Sequence, residues 1–265
     1  MIYLDNSATT QPFEAVIEEM DRCMRETYYN VSAAYAPAML AEKEVTRVRN
    51  RFLRSLGLPT GRAVMTGGGS ESDNLAILGF AETLHAPGTF LVSPMEHPAV
   101  LETLNRVQRM GHTIRLLPVG TDGRIEVQEA LGLVDRETVM ILCMHVNNET
   151  GAIQPLRELF RGARAIQPRI VTFSDGVQGY LRVPMNMQET GTDLYAVSAH
   201  KIHGPKGVGA LAIGSNIRLV PQVTGGGQEA GLRSGTLNSP GIRGFGKAIE
   251  ECENGQLAEE LFQLK

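Results

Sequence analysis

The chain is poor in cysteine, has no long apolar run and carries no large excess of either charge. Three cysteines, Cys23, Cys143 and Cys252, are spread through 265 residues. That spacing speaks against a disulfide framework or a cysteine-rich metal knuckle, and reduced thiols are expected. No segment approaches the roughly 20 apolar residues of a membrane-spanning helix. The amino-terminal MIYLDNSATT has neither a basic leader nor an apolar core, so a cytoplasmic protein without a membrane partner is expected. With 25 Lys and Arg against 29 Asp and Glu, the net charge is −4, which gives no basic face for nucleic acid. Small polar or zwitterionic substrates remain open. Repeats, low-complexity tracts and Pro/Gly-rich linkers are also missing. The 42% hydrophobic content suits one large domain or two smaller ones.

What is present is an alternation of two periods. Apolar runs of strand length occur at residues 62–66, 89–93, 112–118, 138–146, 169–174, 193–199 and 207–214. Segments with apolar residues at i, i+3 and i+4 lie between them, at 70–85, 97–111, 124–134 and 155–166. Runs that are apolar throughout suit strands covered on both faces, so the order predicts an α/β fold with a mostly parallel sheet. The last two strands have no helix between them and are expected to pair antiparallel. Two further helices, at 13–28 and 39–57, precede the sheet and are joined by NVSAAYAP.

In such folds ligands gather where strands end, and several strand ends here carry unusual residues. The first is followed by GGGSES (67–72), a glycine run entering a helix, suited to a phosphate through free N–H groups and the helix dipole. It lacks the lysine-hydroxyl ending of a P-loop and the third glycine of a dinucleotide fingerprint. His97 follows the second strand, NNETG (147–151) the fourth, and Asp175 and Gln178 the fifth. A carboxylate at the mouth of a buried strand requires a cationic or N–H partner. The sixth strand ends in SAHKIHGPKG (198–207), with Lys201 in the same setting. Pyridoxal 5′-phosphate would account for these ends together. It uses a lysine for its Schiff base, a carboxylate for its pyridinium nitrogen and an anion site for its phosphate. A metal hydrolase built on His145, His200, His203 and Asp175 is the weaker alternative, because the Gly-Pro after His203 argues against the helix that would align the histidines. No metal site is expected.

Seven motifs in order complete the pattern: YLDNSATT (3–10), TGGGSESDNLAI (66–77), MEHPAV (95–100), MHVNNETGAIQP (144–155), SDGVQ (174–178), SAHKIHGPKGVGAL (198–211) and GGGQEAGLRSGTLN (225–238). On these motifs, from Ile2 to about Gly246, the chain resembles the cysteine desulfurases of the class V aminotransferase group. The resemblance implies the large domain of a fold type I pyridoxal-phosphate enzyme, with a mostly parallel central sheet covered by helices on both faces. It implies Lys201 as the Schiff-base lysine, with Ser198 and His200 as phosphate ligands beside it. Gly69 and Ser70 match the phosphate loop, Asp175 the pyridinium partner and Gln178 the ligand of the ring hydroxyl. His97 is similar to a histidine stacked on the ring that also relays protons, and Asn148 to the amide near ring and substrate. Thr236 resembles a residue that crosses a dimer to the neighbouring subunit's phosphate, so a homodimer with shared sites is implied. Lys206 is expected to be structural or at the surface.

Departures from the family pattern carry expectations of their own. Residues 1–245 are expected to form the cofactor domain and 246–265 the start of a helix into a small carboxy-terminal domain that is missing here. That domain bears the family's nucleophilic cysteine and the arginine that clamps the substrate carboxylate. None of Cys23, Cys143 and Cys252 fills the cysteine's place. The resemblance implies a cysteine desulfurase-like protein (L-cysteine to L-alanine with sulfur transfer in the family) reduced to its cofactor domain, either naturally short, split from a second polypeptide that supplies the missing half, or a shortened chain. The alternatives are a non-catalytic dimerisation module that keeps the cofactor, and a lyase or aminotransferase acting on another amino acid. The loop NVSAAYAP also departs from the family's usual segment, which leaves the substrate open.

Overall fold

The computed structural model describes residues 2–255. Helices α1 (Glu14–Glu26) and α2 (Ala36–Ser55) precede a sheet built of β1 (Arg62–Thr66), β2 (Thr89–Val92), β3 (Thr113–Leu116), β4 (Thr138–Leu142), β5 (Val171–Asp175), β6 (Leu194–Ser198) and β7 (Gly209–Ile213). Between strands lie α3 (Gly69–Ala81), α4 (Pro98–Arg109), α5 (Val127–Leu131), α6 (Leu156–Ile166) and α7 (Met187–Thr190), and α8 (Ser239–Asn254) closes the described chain. The strand order is β1-β7-β6-β5-β4-β2-β3. All neighbours are parallel except at β7, which runs antiparallel to both β1 and β6. The expected antiparallel pair is therefore β6–β7.

Alternating side chains on each strand feed separate cores, as the two-residue strand period requires. On one face Phe90, Val92, Met140, Leu142, Phe173 and Leu211 pack with Leu75, Leu78, Val100 and Leu104 of α3 and α4. On the other, Met65, Tyr195, Val197 and Ala210 pack against α1, α2 and α8, while Leu91 and Ile141 pack against α5 and α6. In α6 the buried positions are Leu156, Leu159, Phe160 and Ala163, a repeat of i, i+3, i+4, i+7. Burial of each large side chain contributes about 1.5–3 kcal/mol. The helices thus cover both faces, as the apolar strands predict.

Three elements differ from the sequence expectation. Strand β4 stops at Leu142, and Cys143 lies just beyond it, although Cys143 N and His145 N continue the ladder by donating to Phe173 O and Asp175 O. Helix α7 has a single turn, held by the Asn186 side chain accepting from Gln188 N and Glu189 N, and so short an element leaves no apolar period to read. The helix expected from 246 begins at Ser239, where Asn238 Oδ1 accepts from Gly241 N at 3.1 Å. Its glycines lower helix propensity in sequence but fit the packing. A Cβ at Gly244 would lie 2.8 Å from Met20 of α1, and one at Gly246 would lie 2.4 Å from Val48 of α2. Residues 256–265 of the expected second segment lie outside the described residues.

Candidate active site

The carboxyl ends of β1, β2, β4, β5 and β6 share one edge of the sheet, where they border a cleft of about 440 Å³. That size suits a small organic ligand. Strand β7 begins at the same edge, with Gly209 opposite both Thr66 and Ser198. A Cβ at Gly209 would lie 2.5 Å from Val197 O and 2.7 Å from Gly68 Cα, so only glycine lets the loop after β1 settle against β6. Gly68 itself has φ +152°, in the region that favours glycine. Gly69 and Ser70 then form the first turn of α3, where backbone N–H groups have no intrahelical acceptor. Ser198 and His200 border this end of the cleft too. His200 Nδ1 lies 3.1 Å from Thr9 Oγ1, and burial and the neighbouring cations Lys201, Lys206 and Arg182 hold its pKa below the ordinary value. The arrangement is a neutral, dipole-lined seat for an anion.

The opposite end is acidic and buried. Asp175 closes β5, is 5% exposed, and accepts from Val177 N at 2.8 Å. Gly176 follows because a Cβ there would sit 2.0 Å from the Tyr195 ring. Burial pushes the Asp175 carboxyl above its usual range, while the Val177 N–H, His97 and Lys201 pull it back. Asp73 and Glu96 are also buried and are raised well above the usual carboxylate range, by burial first and then by Asp175.

Lys201 stands between these ends, in a single turn Ala199–Lys201 directly after β6. Its Nζ donates to Ala8 O at 2.8 Å and to Ser7 O. Burial and Arg182 lower its pKa, against the opposing pull of Asp175 and Asp5, which favours the neutral amine. The amino-terminal motif is laced to the same turn. Thr10 N and Thr10 Oγ1 both donate to His200 O, and Thr10 Oγ1 accepts from His203 N at 2.7 Å. Gln178 Nε2 donates to Ser7 O at 2.9 Å, and its Oε1 accepts from Arg182 at 2.9 Å.

Nine of the residues singled out by sequence line this one cleft: Gly69, Ser70, His97, Asn148, Asp175, Gln178, Ser198, His200 and Lys201. His97 caps α4, its Nδ1 accepting from Ala99 N at 3.1 Å. Asn148 Nδ2 donates to Glu149 Oε1 at 2.5 Å. Thr236 is exposed and does not border the cleft. Lys206 is exposed beyond the Lys201 turn. The four groups of the metal alternative do not converge: His145 Nδ1 is paired with Tyr195 Oη at 2.8 Å, and His203 stacks on Phe13. Among the described residues no cluster of three or more metal-ligating side chains forms. All three cysteines are buried and none lines the cleft. Burial raises the thiol pKa of Cys143 far above the usual range and that of Cys252 to about 11.

Sequence reasoning missed Asp73 and Glu96, and it gave no role to Ser7 and Ala8. Asp73 had a signal. It follows Gly69 by four residues, on the same helix face, within the run DNLAIL. Glu96 had none beyond standing next to His97.

The sequence and the fold have close counterparts. The aminotransferase class-V family model matches residues 2–261. A cysteine desulfurase IscS of Anaeromyxobacter sp. strain Fw109-5 is 38% identical over 270 residues, covering 100% of this chain and 66% of the relative. One from Dictyoglomus turgidum is 37% identical over 250 residues, covering 94% and 63%. The chain thus spans a little under two thirds of the length of these curated relatives. Among solved structures, a NifS-like protein superposes with a TM-score of 0.93 at 35% identity, over 97% of this chain and 71% of that one. SspA in complex with cysteine gives 0.89 at 34% identity, over 94% and 72%. With the family model and the relatives matching nearly the whole sequence, the chain belongs to the aminotransferase class-V family.

Proposed function

We propose that the cleft holds pyridoxal 5′-phosphate and works on L-cysteine, as part of a cysteine desulfurase. The observation that carries the reading is the occurrence in one cleft of Asp175, buried and accepting one backbone N–H among the described residues, and Lys201, whose amine is pushed towards neutrality. A buried carboxylate in that state fits a protonated ring nitrogen, which would supply the cation it lacks. The glycine turn, Ser70, Ser198 and His200 fit a phosphate, and the space between suits a single ring. When bound, the cofactor supplies an electron sink for charge developing at the substrate α-carbon.

The chain's own groups have separable tasks. Lys201 would hold the cofactor covalently and serve as a base towards the substrate α-carbon. His97, the N-cap of α4 bordering the cleft, would stack on the cofactor and relay protons. Gln178 and Asn148 would hold its polar edge. The relatives' names and the cysteine complex of SspA support cysteine as substrate. Removing its sulfur to leave alanine requires a thiol acceptor. With Cys23, Cys143 and Cys252 buried away from the cleft, that thiol is supplied from outside these 265 residues, by a second polypeptide segment or a free thiol. Thr236 is exposed and apart from its own cleft, which is consistent with its serving the phosphate of a second copy in a homodimer.

The experiment is a visible spectrum of the chain with pyridoxal phosphate, before and after borohydride, followed by peptide mapping. The adduct is expected on Lys201 and absent from Lys201→Ala; attachment at another lysine overturns the assignment. Alanine formation from cysteine that depends on added thiol supports the desulfurase reading. Cofactor binding without turnover would instead assign the chain a binding role.

A further inference from the structure

Asp73 and Asp175 are the buried carboxyls that line the cleft, Asp5 and Glu149 line it as exposed ones, and the buried Glu96 acts on Asp73 without lining the cleft. Asp73, on the second turn of α3, is 1% exposed, and its Oδ1 has no hydrogen-bond partner among the described residues. Glu96, between β2 and α4, accepts from Met144 N at 2.5 Å through Oε1, while its Oε2 is buried without a partner. Asp175, at the end of β5, has the Val177 N–H. Asp175 faces His97, whose Nδ1 accepts from Ala99 N, and Lys201, whose amine is already held by the carbonyls of Ser7 and Ala8. Tyr195, behind Asp175, is buried and neutral. Three buried carboxyls cannot all be ionised when no cation pairs with each of them.

We propose that Asp73 is a positioning residue that keeps a proton in the cleft wall, so that Asp175 is the one buried anion of the lining presented to a bound cation. A neutral carboxyl removes an unpartnered charge from α3 and turns an acceptor-only group into a donor. Burial and the charge on Asp175 both act in this direction on Asp73, and Glu96 adds to them. His97 and Lys201 favour the charged form of Asp175 instead. The proton therefore belongs on Asp73, and Glu96 is held neutral by the same repulsion. The purpose of the device rests on the cofactor reading proposed above, whereas the proton itself does not.

The linkage has an unusual sign. A carboxyl whose folded pKa is raised holds its proton in the folded chain after the unfolded chain has released it. Its presence therefore costs stability increasingly as pH rises above about 4. Asp73→Asn mimics the protonated acid and removes that cost.

The test uses infrared difference spectra of the cofactor-free chain at neutral pH, thermal unfolding from pH 6 to 9, and titration with pyridoxal phosphate. Asp73→Asn is expected to lose one protonated-carboxyl band, with a separate one lost in Glu96→Gln. Its melting advantage over the parent should grow with pH, and its cofactor affinity should stay within about twofold. Asp73→Ala, or Asp73→Ser if the alanine variant does not fold, is expected to bind about tenfold more weakly because the donor is gone. A spectrum with no band lost in Asp73→Asn, or an asparagine variant as weak as the alanine one, overturns the proposal. If the band is present but the parent chain binds no cofactor, the cofactor reading fails while the buried proton stands.

Discussion

The two ends of the cleft recognise opposite charges by different means. At the glycine end the chain offers backbone N–H groups, a hydroxyl and an imidazole held towards neutrality, all tied to secondary structure and open to solvent at Ser70. At the other end it buries carboxyls that share one region of low dielectric, with Asp73 Oδ1 and Glu96 Oε2 left without partners. Dipoles fixed by a helix cost little to leave waiting for an anion, because water solvates them when no ligand is there. A buried carboxylate has no such solvent and must borrow a proton or a cation. Geometry therefore governs the anion end, and protonation governs the acidic end.

This difference can be broken from either side. The largest effect is expected from Asp175→Asn, which keeps the shape and removes the charge. Cofactor affinity should fall about 10- to 100-fold, corresponding to the roughly 1.5–3 kcal/mol of a hydrogen bond to a charged group, as read by absorbance titration. Next comes Gly209→Ala, which forces a methyl between Val197 O and Gly68. Overpacking of this kind costs about 1–3 kcal/mol, seen as a lower unfolding midpoint, and inorganic phosphate should lose its protection of the cleft against heat. The smallest is Ser198→Ala, which removes one hydroxyl at the anion end. About 1 kcal/mol, or roughly fivefold in affinity, is expected, with no change in the pH dependence of binding. A pH-dependent effect at Ser198, or a pH-independent one at Asp73, would erase the distinction between the ends.

Much of the cleft was legible in sequence because each piece is local. A glycine run opening a helix, an aspartate closing an apolar strand and a lysine just past another are read within a few residues, and the structure brings these strand ends to one edge. Legibility failed where the cause lay elsewhere in the chain. The start of α8 at Ser239 was not legible, because its glycines lower helix propensity and their fit against Met20 and Val48 is set by distant helices. The motif YLDNSATT carried a resemblance and no explanation until Thr10 was found bonded to His200 and His203, and Ser7 and Ala8 to Lys201. Asp73 looked like an ordinary polar residue early in a helix.

The sequence by itself determined the alternation of strand and helix, the residues at each strand end and the absence of charge or apolar excess, because periodicity and composition are properties of neighbouring residues. Tertiary structure alone decided which ends meet and which carboxyls are buried near one another. Repulsion and desolvation depend on distance through space, and Asp73 and Asp175 come together only when α3 packs on the sheet beside β5.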